Sequence, residues 1–301
     1  IVPARVRNTV DNFVGRKTRS PYVDAPHERI KAASTVLELH GVSVRYGGVS
    51  AVQGLDLEAP TGKITGLIGP NGAGKTTTFN ACSGLVRASD GLITVGDKSI
   101  NTVSVPGRAR LGLGRTFQKM ELFDSLSVYD NVSIGYEGTL AGKNPIRHLV
   151  ANRRDSRNIR YATEAAMVTC GVSDLADSRV GSLSTGQRRL VELARCLAGP
   201  FQVLLLDEPS SGLDHTESRR FGQVLQRVVA EHGVGVLIVE HDMALVLDIC
   251  DDIFVLDFGV PIFRGTPDEV KNSPIVQAAY LGDPEVEDDL NSMSSTTEAV
   301  R

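Results

Sequence analysis

Basic charge is in short supply: 32 Lys and Arg stand against 36 Asp and Glu, giving a formal net charge of -4 over 301 residues. A protein whose main partner is a nucleic-acid backbone favours a basic surface, so that class is disfavoured and no nucleic-acid partner is expected. Cysteine is scarce and scattered. Cys82, Cys170, Cys196 and Cys250 form no C-x-x-C pair, which argues against a zinc site or a disulfide framework and for reduced cytosolic thiols. Apolar runs such as 234–239 fall far short of the ~20 residues of a membrane helix, and no signal-peptide pattern opens the chain. A protein soluble by itself is expected. The chain contains no second phosphate loop and no Asn-Lys-x-Asp guanine-recognition run.

Against these absences stands Gly69-Pro70-Asn71-Gly72-Ala73-Gly74-Lys75-Thr76, which reads G-x-x-x-x-G-K-S/T and follows the apolar run Ile64-Thr65-Gly66-Leu67-Ile68. The glycines let the backbone aim successive N–H groups inward, and a helix starting near Gly74 adds its dipole, making a concave anion site. Lys75 then supplies charge to the outer phosphates, and the hydroxyl of Thr76 is a hard-oxygen ligand suited to Mg²⁺.

Residues 1–35 are basic and without period, and read as a flexible arm. The start at Ile1 rather than Met suits either a piece of a longer polypeptide or a chain whose start is missing. From Val36 the pattern becomes that of short strands, with Val42, Val44 and Tyr46 on one face. Tyr46 precedes the phosphate loop, where its ring could stack on a nucleobase; packing in a sheet core is the alternative. Gly114-Arg115-Thr116-Phe117-Gln118 follows a strand, so the Gln118 amide could reach a metal ion or a water beside a nucleotide. The residues from 119 to about 199 carry helical patches, a basic stretch and no strong strand, as in an inserted helical lobe. Ser184 and Gln187 have capping-box spacing ahead of an apolar helical face, and with Gly186 they form a second anion-binding helix start.

The run Val203-Leu204-Leu205-Leu206 has the pattern of a parallel strand buried on both faces, and it ends in Asp207-Glu208. That edge is where open α/β sheets bind ligands. Asp207 is placed to hold a Mg²⁺ shell and Glu208 to polarise a water against a terminal phosphate. The strand 234–239 repeats the pattern and ends at His241, which can donate to a phosphate or position the water. A strand pair and a terminal helix close the ordered part. Residues 283–301 are acidic and rich in Ser and Thr, and are expected to be disordered.

In this order the motifs resemble the ATP-binding-cassette (ABC) family over residues 36–282. The resemblance implies an α/β P-loop fold with a mostly parallel central sheet, an antiparallel β subdomain and the inserted helical lobe. It implies that ATP is held by Tyr46, Asn71, Gly72, Ala73, Gly74, Lys75, Thr76 and Thr77, with Mg²⁺ on Thr76, Gln118 and Asp207. Glu208, His241 and Gln118 would be catalytic. Ser184, Thr185, Gly186 and Gln187 would close over the ATP of a second cassette, with Asp214 at the dimer contact. Thr185 departs from the common glycine pair of that signature. Arg45-Tyr46-Gly47-Gly48, Arg115-Thr116-Phe117-Gln118 and Gly265-Thr266-Pro267-Asp268-Glu269-Val270 are similar to ATPase subunits of branched-chain amino-acid importers; lipopolysaccharide-export ATPases have similar endings. The partners implied are a second cassette, transmembrane permease subunits and an extracytoplasmic substrate-binding protein, with this chain peripheral on the cytoplasmic face. A soluble ABC ATPase outside transport is a poorer fit, because those typically need coiled-coil insertions or paired cassettes.

Overall fold

The computed structural model describes residues 36–116, 121–141 and 153–280. In chain order the strands are β1 (Val36–Tyr46), β2 (Val49–Pro60), β3 (Ile64–Ile68), β4 (Asp90–Val95), β5 (Lys98–Ser99), β6 (Leu113–Arg115), β7 (Val203–Asp207), β8 (Gly235–Val239), β9 (Asp252–Asp257) and β10 (Val260–Gly265). The helices are α1 (Lys75–Ser83), α2 (Val105–Arg110), α3 (Val128–Ala141), α4 (Arg153–Cys170), α5 (Thr185–Ala198), α6 (His215–His232), α7 (Met243–Ile249), α8 (Pro267–Lys271) and α9 (Pro274–Tyr280).

These strands form two sheets. One is antiparallel, in the order β2-β1-β4-β5; the other runs β10-β9-β3-β8-β7-β6 and is parallel except for the β9–β10 hairpin. The continuous apolar runs of β7 and β8 are buried along their whole length because each face of the large sheet meets a different core. Leu204, Leu206, Val236 and Ile238 face the core shared with α3 to α7. Their neighbours Val203, Leu205, Leu237 and Val239 face the antiparallel sheet and Phe79 of α1. Period-two alternation thus sorts one apolar strand into two cores. Burying these side chains contributes roughly 1.5–3 kcal/mol each.

β1 and β2 are longer than the short strands expected from the sequence. Gly41 and Gly54 adopt left-handed φ of 57° and 59°, and the β1–β2 register shifts between Leu39 and Arg45. Such bulges interrupt the alternation that marks a continuous strand. They also separate Tyr46 from its expected companions: Val42 and Val44 are fully buried, whereas Tyr46 is 51% exposed at the hairpin end. Core packing of Tyr46 is therefore excluded. The single terminal helix is instead two, α8 and α9, because Pro274 lacks an N–H and disfavours helical backbone at Ser273. Residues 1–35, 281–301 and Gln118 lie outside the described residues, so the readings of an arm, a disordered tail and a metal-binding amide fall there.

Candidate nucleotide site

β3 delivers the chain to the loop at residues 69–76, and α1 starts at Lys75. Gly74 has φ 99°, and a Cβ there would strike the carbonyl oxygen of Ala51 in β2. A Cβ on Gly69 would strike the carbonyl of Leu256 in β9. The glycines thus serve close backbone approach from two strands as well as the turn. The β9–β10 turn is tied in as well, Gly259 donating to Ala73 O at 3.1 Å and accepting from Gln53 N–H at 2.8 Å. Lys75 is buried, and its ammonium folds back over the loop to donate to Gly69 O at 2.5 Å and Pro70 O at 2.9 Å. Asn71, Gly72 and Thr76 are exposed on the loop, with Thr77 half-buried and Ala73 buried.

Two strand ends supply the acid–base groups. Glu208 follows β7 in a left-handed conformation, φ 48°, held by its N–H donating to Val239 O at 2.9 Å. From there its Oε1 accepts from His241 Nε2 at 3.0 Å. Asp207 is buried, and Arg115 Nη2 donates to its Oδ2 at 3.0 Å. Burial pushes the Asp207 carboxyl up, and the Arg115 guanidinium pulls it back down. Glu240, between β8 and His241, is buried; its Oε1 accepts from Ser210 N–H and its Oε2 from Ser210 Oγ, both at 2.7 Å. Desolvation pushes its carboxyl up to about 7, against the Ser210 bonds. Sequence reasoning missed Arg115 and Glu240. Their signal was present, since an arginine in a three-residue strand and a glutamate at a buried strand end both need partners.

A second cluster lies at two helix starts. Ser184 Oγ accepts from Gln187 N–H at 3.3 Å and Gln187 Oε1 accepts from Ser184 N–H at 3.0 Å, completing the expected capping box. Asp214 caps α6 in the same way through Glu217. The helix starts meet at Gly186, where a Cβ would come within 2.6 Å of Glu217 Oε1 and where Thr185 also lies near Gly212. Arg189 of α5 donates to Ser211 O at 3.3 Å and pairs with buried Glu192 at 3.2 Å. The hydrogen bonds of Ser184, Gln187 and Asp214 stay within these two helix starts, apart from the phosphate loop. All four cysteines are free and buried, and burial pushes Cys82 and Cys196 up to about 12, so they are inert thiols.

A glycine-rich loop at a helix N-terminus, beside paired carboxylates at parallel strand ends, defines a P-loop nucleotide-binding protein. The ABC transporter family matches residues 52–211, and the C-terminal family described as branched-chain amino acid ATP-binding cassette transporter matches residues 260–286. This chain belongs to the ABC transporter family, as an ATP-binding subunit. It is 36% identical over 253 residues to the high-affinity branched-chain amino acid transport ATP-binding protein BraF of Pseudomonas aeruginosa, covering 82% of this chain and 98% of that one. Identity to LivG, of the same description, in Escherichia coli is 34%, with the same coverage. The lipopolysaccharide export system ATP-binding protein LptB of Escherichia coli is 36% identical over 79% of this chain and 93% of its own. Among solved structures, the ADP conformation of an ATP-binding cassette of an ABC transporter superposes with a TM-score of 0.72 at 27% identity, covering 82% of this chain and 99% of that one.

Proposed function

We propose that this chain hydrolyses ATP at sites shared head to tail with a second cassette, and so powers import of branched-chain or related amino acids through membrane permease subunits. The observation that carries the hydrolysis is the Glu208–His241 hydrogen bond, 3.0 Å long, at the ends of the adjacent parallel strands β7 and β8. Glu208 takes the proton of the attacking water, and His241 orients that carboxylate through its Nε2–H. Lys75 turns its ammonium from the Gly69 and Pro70 carbonyls to the outer phosphates, while the loop N–H groups and the start of α1 hold the remainder. Tyr46, exposed at the end of β1, offers its face to the adenine.

Thr76 and Asp207 would hold magnesium, being the oxygen donors a hard cation takes. Among the described residues no group of three or more His, Cys, Asp or Glu is placed to hold a metal ion; magnesium generally takes one or two protein oxygens together with substrate phosphates. When bound, Mg²⁺ neutralises charge on the outer phosphates.

Ser184, Thr185, Gly186 and Gln187 would close over the partner cassette's ATP, with Asp214 at that contact. Their capping bonds, Ser184 with Gln187 and Asp214 with Glu217, hold both helix starts in place to meet a partner's nucleotide. Among the described residues no helix is long and apolar enough to cross a membrane. The likeness to transport ATP-binding proteins supports a peripheral place on the cytoplasmic face of a permease that supplies the span. The cargo reading rests on BraF, LivG and the match over residues 260–286.

Affinity capture from native membranes with ATP present tests the assignment. Recovery of a permease pair and an extracytoplasmic amino-acid-binding protein is expected. Recovery of lipopolysaccharide-transport components instead would move the cargo to the LptB-like reading, and a soluble complex without a permease would end the transport reading.

A further inference from the structure

The guanidinium of Arg115 touches both elements that carry the proposed magnesium donors. It stands at the end of β6, which pairs with β7 through the register Arg115↔Leu205, and its side chain is 11% exposed. On one side Nη2 donates to Asp207 Oδ2 at 3.0 Å. On the other, Nη1 donates to Asn80 Oδ1 at 2.9 Å and to Ser83 Oγ at 2.5 Å, both on α1. The group also lies 6.0 Å from the centroid of Phe79, on the same helix. The planar fork reaches the carboxylate from one nitrogen and the amide and hydroxyl from another, whereas an ammonium presents its three donors from a single point.

Since α1 carries Thr76 in its first turn and β7 ends at Asp207, a bridge between them fixes the span between hydroxyl and carboxylate. We propose that Arg115 is a positioning residue for magnesium use, a clamp joining α1 to the end of β7 so that Thr76 and Asp207 meet the ion's shell together. The pair engages one carboxylate oxygen, Oδ2, and leaves the other to the shell. Supporting groups of this kind typically affect metal affinity by about 10- to 100-fold. The inference rests on Asp207 serving magnesium, and the experiment separates the two.

The full chain is titrated with a fluorescent ATP analogue over a range of Mg²⁺ concentrations and again in EDTA. In Arg115→Met the Mg²⁺ concentration for half-maximal enhancement of binding should rise about 10-fold, with affinity in EDTA unchanged within about 2-fold. Arg115→Lys, which keeps charge but not the fork, should shift it about 3-fold. Asn80→Ala with Ser83→Ala releases only the α1 end and should shift it in the same direction, so the clamp is testable even if Arg115→Met fails to fold. Asp207→Asn should lose the Mg²⁺ enhancement, and adding Arg115→Met to it should change nothing further. An unchanged Mg²⁺ dependence in folded Arg115→Met and in the α1 variant, or an equal loss with and without Mg²⁺, overturns the clamp. Retained Mg²⁺ enhancement in Asp207→Asn removes the reading of Asp207 itself.

Discussion

Glu240 holds Ser210 by both of its oxygens, Oε1 to the backbone N–H and Oε2 to the hydroxyl, each at 2.7 Å. The pair ties the end of β8, from which His241 projects, to the segment that runs on to Asp214. It also keeps a carboxylate nearly dry. Burial, reinforced by Asp242 and opposed by the Ser210 and His241 N–H bonds, lifts its pKa to about 7.

That lift gives a pH signature. The folded state binds the Glu240 proton more tightly than the unfolded chain, whose carboxylate titrates near ~4.3. The group's contribution to stability is therefore fully present below that value and lost as pH rises through about 7. Glu240→Gln removes the titration while keeping an acceptor for Ser210. Its unfolding free energy, read from denaturant titrations, should gain on the parent protein's between about pH 5 and about pH 8, by up to ~3 kcal/mol. A difference that stays constant with pH would mean Glu240 does not titrate there.

Glu208→Gln keeps an oxygen within reach of His241 but cannot take a proton from water. Turnover should fall by about 10²- to 10⁴-fold while ATP binding persists and an ATP-trapped dimer accumulates. Steady-state phosphate release and size-exclusion chromatography read the two effects. Hydrolysis at the unsubstituted rate would remove Glu208 from the base role.

Lys75→Ala removes the phosphate cation and also the donor to the Gly69 and Pro70 carbonyls. ATP affinity should drop by at least about 100-fold in a binding titration. Stability should fall by roughly 1–3 kcal/mol, since the loop carbonyls lose a charged partner. Unchanged ATP affinity would reject the loop as the phosphate site.

Asp214→Ala breaks the α6 capping box, in which Asp214 accepts from Glu217 N–H at 2.8 Å. A loss of about 1 kcal/mol is expected in chemical denaturation, with Asp214→Asn close to neutral because the amide oxygen still caps. Equal losses in both variants would show that charge rather than capping sets the contribution.

Local chemistry made much of the site readable along the chain. Residues 69–76, the apolar run into Asp207 and Glu208, and the Ser184–Gln187 cap are each written in contiguous residues, because glycine φ, burial on both strand faces and helix capping act over a few positions. Arg115 with Asp207, Glu240 with Ser210 and Arg189 with Ser211 were not readable. Their partners lie 92, 30 and 22 positions apart, and no periodicity relates an ion pair or a buried carboxylate to a distant acceptor. Tyr46 shows the same limit on one strand, where bulges in the pairing with β2 separated it from Val42 and Val44, with which alternation gave it a common face. Residue order therefore set the phosphate loop, the strand ends and their chemistry. Sheet order and register alone decided which charges meet there, because long-range pairing is set by packing.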